Sequence, residues 1–236
     1  MFAVTTHTPF GGSIWTRPER AARGPAPEHS RASLATAGIA LADAEGLNAV
    51  TMRSVAAAVG TGPASLYRYV DTRAQLLELM ADQARGELRF DRTGGSSTDR
   101  LLALARDGRA LYRRHPWLLD IPADPVPGPN ALAFLDHCLA ALRDTGLPGA
   151  AKLETVGLFS AAVRLIAQTE LDRERAGQNA AQYQSDLESY LTRVVAAGQH
   201  PHLAEAMTDV PRPPGASAQP DVFDRAMTRI VAALVA

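Results

Sequence analysis

The sequence predicts an all-α protein, and three observations carry this prediction. Proline, which fixes φ and lacks an amide hydrogen, falls mainly in three clusters within residues 9–27, 122–129 and 211–220. Between these clusters, apolar residues recur with helical spacing in alanine- and leucine-rich windows. No segment alternates apolar and polar residues as a half-buried strand does, and strand formers such as those at 193–195 sit in helical context. We therefore expect helices separated by proline-rich joints.

The composition of the 236-residue chain narrows the class of protein. A hydrophobic fraction of 46% and a net charge of −1 disfavour disorder. The single cysteine, Cys138, excludes a disulfide within the chain. No apolar run approaches the roughly 20 residues that cross a bilayer, and the first residues lack the pattern of a secretion signal. We expect a cytoplasmic protein of one or two domains that does not enter a membrane.

The first helix is predicted from about residue 30 to 45, with Gly46 ending it in a left-handed conformation. Thr51 is a good N-cap for a second short helix. Pro63 suits the first turn of a third helix, where its missing amide hydrogen does no harm. Asp71 is expected to cap a fourth helix, and the first 28 residues are expected to form a flexible arm.

Residues 51–70, TMRSVAAAVGTGPASLYRYV, have the pattern of a helix-turn-helix, with two short helices around a tight glycine turn. Arginine pairs well with guanine, small residues approach thymine methyl groups, and tyrosine hydroxyls suit phosphates. The outward residues of the second helix have this mixture: Ala64, Ser65, Tyr67, Arg68 and Tyr69. The alternative for this segment is an ordinary solvated helix face.

The run from Ser30 to Leu79 resembles the N-terminal domain of TetR-family transcriptional regulators. The shared features are the EGL segment after the first helix, the T-x-R-x-V-A start of the second, and GTGPASLYRYV. The tetracycline repressor itself has tryptophan where this chain has Arg68, so its operator sequence is not carried over. The resemblance implies base contacts by Arg53, Pro63, Ala64, Ser65 and Arg68, and phosphate contacts by Thr51, Tyr67, Tyr69 and Arg73.

Charge is distributed unevenly along the chain. Residues 1–75 hold seven arginines against five carboxylates, a net charge of +2, which leaves −3 for the remainder. The arm arginines Arg17, Arg20 and Arg23 either enter an adjacent minor groove or belong to a solvated tail. The segment SIWTRPERAARGPAPEHSR is similar to arms of some actinobacterial family members.

Further helices are predicted at about 97–115, 130–145, 149–174, 179–198 and 221–235. The segments RRHPWLL and GPNALAFLDHCLAALRDTGL resemble a tetracycline-repressor-type C-terminal domain. We therefore expect a three-helix DNA-binding domain at 29–75 and a larger helical ligand-binding and dimerisation domain at 76–236. The resemblance implies that helices 149–174 and 221–235 pair across a two-fold axis. Their apolar stripes are equally consistent with internal core, because periodicity does not separate the two.

A ligand cavity is expected between the two domains, although simple packing is the alternative for each residue. Candidate lining residues are Leu104, Arg109, Leu111, His115, Trp117, Phe134, Leu135, His137, Cys138 and Phe159. His200 and His202 lie in a predicted loop without nearby cysteines, so no metal site is expected. No nucleophile elbow, P-loop or dinucleotide fingerprint occurs, and neither a cofactor nor catalysis is expected.

These features predict a homodimeric, ligand-responsive regulator that binds double-stranded DNA. The most direct form is a repressor released from a palindromic operator by a small hydrophobic or amphipathic effector, with the fourth helix as the lever between the domains. Two alternatives remain: a constitutive DNA-binding protein without an effector, and a small-molecule-binding or enzymatic helical domain with a vestigial helix-turn-helix.

Overall fold

Helices account for all regular secondary structure in the residues that the computed structural model describes, which are 13–16, 29–90, 94–122, 126–177, 179–208 and 221–235. No strand occurs in these ranges, so the all-α prediction is confirmed. Arg17, Arg20, Arg23 and the predicted linker 211–220 lie outside the described residues. The α-helices α1 to α10 are Arg31–Glu45, Met52–Ala58, Pro63–Leu66, Arg73–Arg85, Ser97–Arg114, Pro129–Ala141, Gly149–Ala176, Asn179–Ala196, Pro201–Thr208 and Val222–Val235.

Local capping explains where the N-terminal helices begin. Thr51 Oγ1 accepts a hydrogen bond from the Ser54 amide at 3.0 Å, and Ser54 Oγ accepts one from the Thr51 amide at 2.9 Å. This reciprocal capping box satisfies two amides that α2 leaves without a helical partner. The predicted cap of α4 at Asp71 is wrong by one residue. Thr72 takes that place, because its hydroxyl accepts from the Gln75 amide at 3.2 Å.

The first hydrophobic core joins α1 to α4. Its fully buried side chains include Leu34, Val50, Val55, Leu66, Val70, Leu76 and Met80. Helices α1 and α4 cross closely at Gly38, where an added Cβ would lie 2.6 Å from Met80 Sδ. Gly46 ends α1 with φ of +84°, in the conformation that favours glycine. The helix-turn-helix therefore rests on a rigid base formed by α1 and α4.

The segment that precedes α1 is partly docked on this core. Residues Ile14–Thr16 form a 3-10 turn, and Ile14 is fully buried. Ser13 Oγ donates a hydrogen bond to Glu78 Oε2 at 2.7 Å, and the Ile14 amide donates to the same atom at 3.2 Å. The expectation that residues 1–28 form a flexible arm is therefore wrong for 13–16, which an apolar anchor and a polar tether hold on α4.

The second core lies between α5, α6, α7 and α10. Its buried side chains include Leu101, Cys138, Leu142, Val156, Phe159, Val163, Phe223, Met227 and Val231. The apolar stripes predicted for helices 149–174 and 221–235 thus face inward for the most part. Helix α6 ends at Ala141, four residues before its predicted end.

Helices α8 and α9 follow α7 in the chain and contribute no described residue to the second core. No side chain described in either helix is buried. The predicted loop is confirmed for His200, which lies between α8 and α9, and is wrong for His202, which lies in α9. Proline fits a first helical turn, and Pro201 begins this helix.

Candidate DNA interface and ligand cavities

The helix-turn-helix presents a short recognition element. Helix α3 is one turn that begins with Pro63, and hydrogen-bonded turns continue it to Val70, whose amide donates to Leu66 O at 3.0 Å. Leu66 and Val70 are fully buried and anchor the element to the first core. Burial of these two side chains leaves Tyr67 and Arg68 on the outside.

The structure leaves most of the predicted DNA-contact residues accessible. Tyr67 has 53% of its surface exposed. Ser65 and Tyr69 are half-buried, and the Tyr69 side chain packs against the first core. The exposed members are Thr51, Arg53, Pro63, Ala64, Tyr67, Arg68 and Arg73.

Arg73 has contacts that the resemblance to the family did not predict. Its Nε donates to Val50 O at 2.6 Å, and its Nη2 donates to Leu47 O at 2.8 Å. The guanidinium therefore holds the segment between α1 and α2 against the start of α4. These contacts give Arg73 a positioning role for α2, and the phosphate contact that the resemblance implies for this exposed residue stays a prediction.

A cavity lies between α4, α5, α6 and α7, and we call it the apolar cavity. Four of the ten predicted residues line it: Leu104, Leu111, Phe134 and Phe159. Eight further residues complete the lining: Arg85, Leu88, Gly108, Tyr112, Leu118, Ser160, Val163 and Arg164.

Two of the missed lining residues have a sequence signal. Gly108 and Tyr112 follow Leu104 at helical spacing, so they share its face of α5. Arg164 has no comparable signal. Its Nη2 donates to Leu119 O at 2.6 Å and to Ile121 O at 2.9 Å, which fixes the segment after α5 against α7.

His115 and Trp117 do not line the apolar cavity, contrary to prediction. Both side chains are buried, and both hydrogen-bond to Asp43 Oδ1 of α1. The distance to this oxygen is 2.8 Å from His115 Nδ1 and 2.7 Å from Trp117 Nε1. His115 Nε2 also lies 3.1 Å from Glu87 Oε1. These residues form a polar junction between the DNA-binding part and the larger helical part of the chain.

Arg109, Leu135, His137 and Cys138 are also outside the apolar cavity. Arg109 pairs with Glu170 at 2.7 Å. Burial disfavours the charged guanidinium of Arg109, but its hydrogen bonds with Glu170 and Asp221 outweigh burial and raise its pKa. Leu135 packs on the second core, and His137 lines a different cavity. Burial raises the pKa of the Cys138 thiol to about 12, so this cysteine is an inert core residue.

Asp82 joins α4 to α6. Its carboxylate is 2% exposed and accepts from the Asn130 amide at 3.2 Å, from Asn130 Nδ2 at 3.0 Å and from the Ala131 amide at 2.9 Å. An anion at a helix N-terminus satisfies free amides and complements the helix dipole. The close approach of Asp82 to the start of α6 depends on glycine at position 128. A Cβ added to Gly128 would lie 2.4 Å from Asp82 Oδ1 and 2.6 Å from Trp15 Cζ2.

Metal-binding clusters and membrane-spanning helices are both absent from the described part of the chain. There, no group of three or more His, Cys, Asp or Glu side chains could hold a metal ion. None of the helices in the same ranges is long and apolar enough to span a bilayer.

Comparison with known proteins agrees with this architecture. The family model for bacterial regulatory proteins of the tetR family matches residues 34–80, and the model for the tetracyclin repressor-like C-terminal domain matches residues 91–236. The chain belongs to the TetR family. This TetR-family protein is therefore a DNA-binding transcriptional regulator, which confirms the predicted family and fold.

Two known transcriptional regulators are similar in sequence to this TetR-family chain. It is 34% identical over 203 residues to the HTH-type transcriptional repressor DrrR1 of Streptomyces coeruleorubidus, covering 83% of this chain and 75% of that relative. It is 32% identical over 137 residues to an HTH-type transcriptional regulator of Saccharopolyspora erythraea, covering 57% and 58% of the two chains.

Solved structures of ActR from Streptomyces coelicolor share the fold. Apo ActR superposes with a TM-score of 0.73 at 27% identity, covering 89% of this chain and 97% of that chain. ActR in complex with actinorhodin gives 0.71 at 25% identity, covering 89% and 96%. ActR in complex with (S)-DNPA gives 0.69 at 25% identity, covering 88% and 98%.

Proposed function

We propose that this TetR-family regulator is a repressor that leaves its operator when a small amphipathic molecule occupies the apolar cavity. The relative DrrR1 is a transcriptional repressor, and ActR has been crystallised with actinorhodin and with (S)-DNPA. The observation that carries the proposal is that one helix, α4, serves both the DNA-binding element and the cavity.

Helix α4 connects the two sites physically. Leu76 and Met80 belong to the first core beneath the helix-turn-helix, whereas Arg85 lines the apolar cavity. Between them, Asp82 caps α6, which contributes Phe134 to the cavity wall. A ligand that binds one arrangement of α4 and α6 more tightly shifts the position of the helix-turn-helix, by at most its difference in affinity for the two arrangements.

The protein acts as a homodimer in this proposal. Helix α7 carries an exposed apolar stripe that includes Leu158 at 60% and Leu165 at 66% exposure. Leu153 is also exposed, and a Cβ added at Gly157 would meet nothing within 4 Å, so a second helix has room to approach. Two copies related by a two-fold axis place their recognition elements about 34–36 Å apart on a palindromic operator.

The proposed DNA contacts are those that the family resemblance implies. Arg68 and Arg53 read base edges together with Pro63, Ala64 and Ser65, whereas the phosphates are contacted by Thr51, Tyr67, Tyr69 and Arg73. No catalytic step is assigned to the protein. The larger helical part senses a ligand and pairs the two copies.

Fluorescence anisotropy with labelled DNA from upstream of the protein's own gene tests the proposal. We expect binding at least 10³-fold tighter than to scrambled DNA of the same length, as is typical of specific recognition. Replacement of Leu158 and Leu165 by glutamate is expected to give a folded monomer with weakened operator binding, and Glu154→Gln, an exposed change on the same helix, is the control.

Three outcomes separate the alternatives. The absence of sequence-specific binding at low salt contradicts a regulator and leaves a helical domain with a vestigial helix-turn-helix. A specific complex that no cavity-binding compound releases indicates a constitutive DNA-binding protein. Release by such a compound supports the proposed function.

A further inference from the structure

A second cavity adjoins the apolar cavity, and we call it the arginine cavity. Leu104 lines both cavities, so the two are neighbours along α5. Three arginines, Arg89, Arg100 and Arg143, contribute to its lining against one carboxylate, Asp107, and a second carboxylate, Asp144, pairs with Arg100 and Arg143. The arginine cavity therefore has an excess of positive charge beside an apolar compartment.

Arg100 is the fixed cation of this cavity. It is only 9% exposed, and its Nη groups donate to Gly95 O at 2.9 Å, Ala141 O at 3.1 Å and Asp144 Oδ2 at 2.7 Å. Its Nε is buried and has no hydrogen-bond partner among the described residues. Hydrogen bonds from Arg100 and Arg143 hold the pKa of the Asp144 carboxyl below its usual value.

The cavity also has a flat aromatic wall. The rings of Phe90 and His137 stack with centroids 3.8 Å apart and planes inclined by 19°. His137 Nδ1 donates to Ala133 O at 2.7 Å, because a carbonyl oxygen only accepts, and this bond fixes the orientation of the ring. An aromatic surface and guanidinium groups thus lie together in one cavity.

We propose that the arginine cavity binds the oxyanion group of the effector while the apolar body of the same molecule fills the apolar cavity. Guanidinium groups match the geometry of carboxylate, sulfonate and phosphate oxygens and form strong hydrogen bonds with them. The inference rests on the proposed function, since it takes the apolar cavity as the ligand site. It specifies the chemical class of the ligand as an aromatic or polycyclic molecule with an acidic group.

A matched pair of dyes tests this inference on the intact protein. Anilinonaphthalene sulfonate carries a sulfonate, whereas phenylnaphthylamine has the same aromatic body without it, and both fluoresce when bound in apolar surroundings. We expect the sulfonated dye to bind at least about tenfold more tightly than the neutral dye, with a preference that weakens as salt is added. Displacement by naphthoate and by naphthyl phosphate distinguishes a carboxylate from a phosphate ligand.

Substitutions at exposed arginines localise the preference without disturbing the core. Arg89→Gln and Arg143→Gln are each expected to weaken binding of the sulfonated dye about tenfold and to change binding of the neutral dye less than about twofold. Arg113→Gln is the control, because Arg113 pairs with Glu174 and lines neither cavity. We expect it to leave both dyes unaffected.

The possible failures are distinguishable. Equal affinity of the wild-type protein for the two dyes overturns the inference and leaves the proposed function intact. If Arg89→Gln weakens the binding of both dyes equally, the inference is likewise overturned and the proposed function is unaffected. Loss of the preference in Arg113→Gln overturns it as well, because a general surface charge then explains it. If neither dye binds, the apolar cavity is not a ligand site and the proposed function fails too.

Discussion

Removing the carboxylate that links α4 to α6 is expected to destabilise the fold strongly. In Asp82→Ala, the amides of Asn130 and Ala131 and the Asn130 side chain lose their acceptor at a buried junction. Loss of an N-cap costs about 0.5–2 kcal/mol, and each unsatisfied buried donor about 1–3 kcal/mol, so we expect the free energy of unfolding to fall by about 3 kcal/mol. Asp82→Asn keeps one acceptor oxygen and is expected to lose about half of this amount.

Urea denaturation followed by circular dichroism measures the change, with all variants at one protein concentration because a dimer's stability depends on it. Asp136→Ala is the matched control, since Asp136 is an exposed residue of the helix that Asp82 caps. The control is expected to lie within about 0.5 kcal/mol of the wild type. If the free energy of unfolding of Asp82→Ala also lies within about 0.5 kcal/mol of the wild type, Asp82 does not cap α6 and does not link α4 to α6 as we infer.

Three further predictions test other contacts. Arg68→Ala is expected to cost about 1–3 kcal/mol on the operator and to relax specificity at one base pair, whereas equal weakening on random DNA in anisotropy titrations indicates a phosphate contact instead. Asp43→Ala leaves His115 and Trp117 without their shared acceptor, so the free energy of unfolding is expected to fall by about 2–4 kcal/mol in urea titrations, and an unchanged midpoint argues against the junction. Burial raises the pKa of the Cys138 thiol from 9.0 to about 12, so the wild type is expected to lose stability relative to Cys138→Ala as pH rises through that interval. Labelling of the folded protein by iodoacetamide at neutral pH contradicts the burial of this thiol.

Local signals were sufficient to predict much of the helix-turn-helix. Thr51 and Pro63 mark the starts of α2 and α3 through interactions with residues only a few positions away, and the structure agrees. The predicted cap at Asp71 is wrong because Asp71 and Thr72 are adjacent residues that both suit a cap. Composition alone does not decide which of the two hydroxyl or carboxyl groups reaches the Gln75 amide.

The cavity was harder to predict because its walls come from distant parts of the chain. His115 and Trp117 have the residue types of a ligand site, but their partner is Asp43, more than 70 residues earlier in the sequence. On α7, the inward apolar residues and the exposed leucines recur with the same helical spacing. Spacing alone therefore does not show that Phe159 is buried and Leu158 is exposed. Segment 13–16 has no helical period, and only its contacts with Glu78 reveal that it is docked.

Occupation of the apolar cavity is proposed to release this regulator from its own specific DNA. The dissociation constant for the upstream DNA, measured with and without a compound that displaces phenylnaphthylamine from the protein, tests this release directly. We expect the dissociation constant to rise at least tenfold, which corresponds to a coupling free energy of about 1.4 kcal/mol. A specific complex whose dissociation constant is unchanged by every compound that displaces the dye contradicts it.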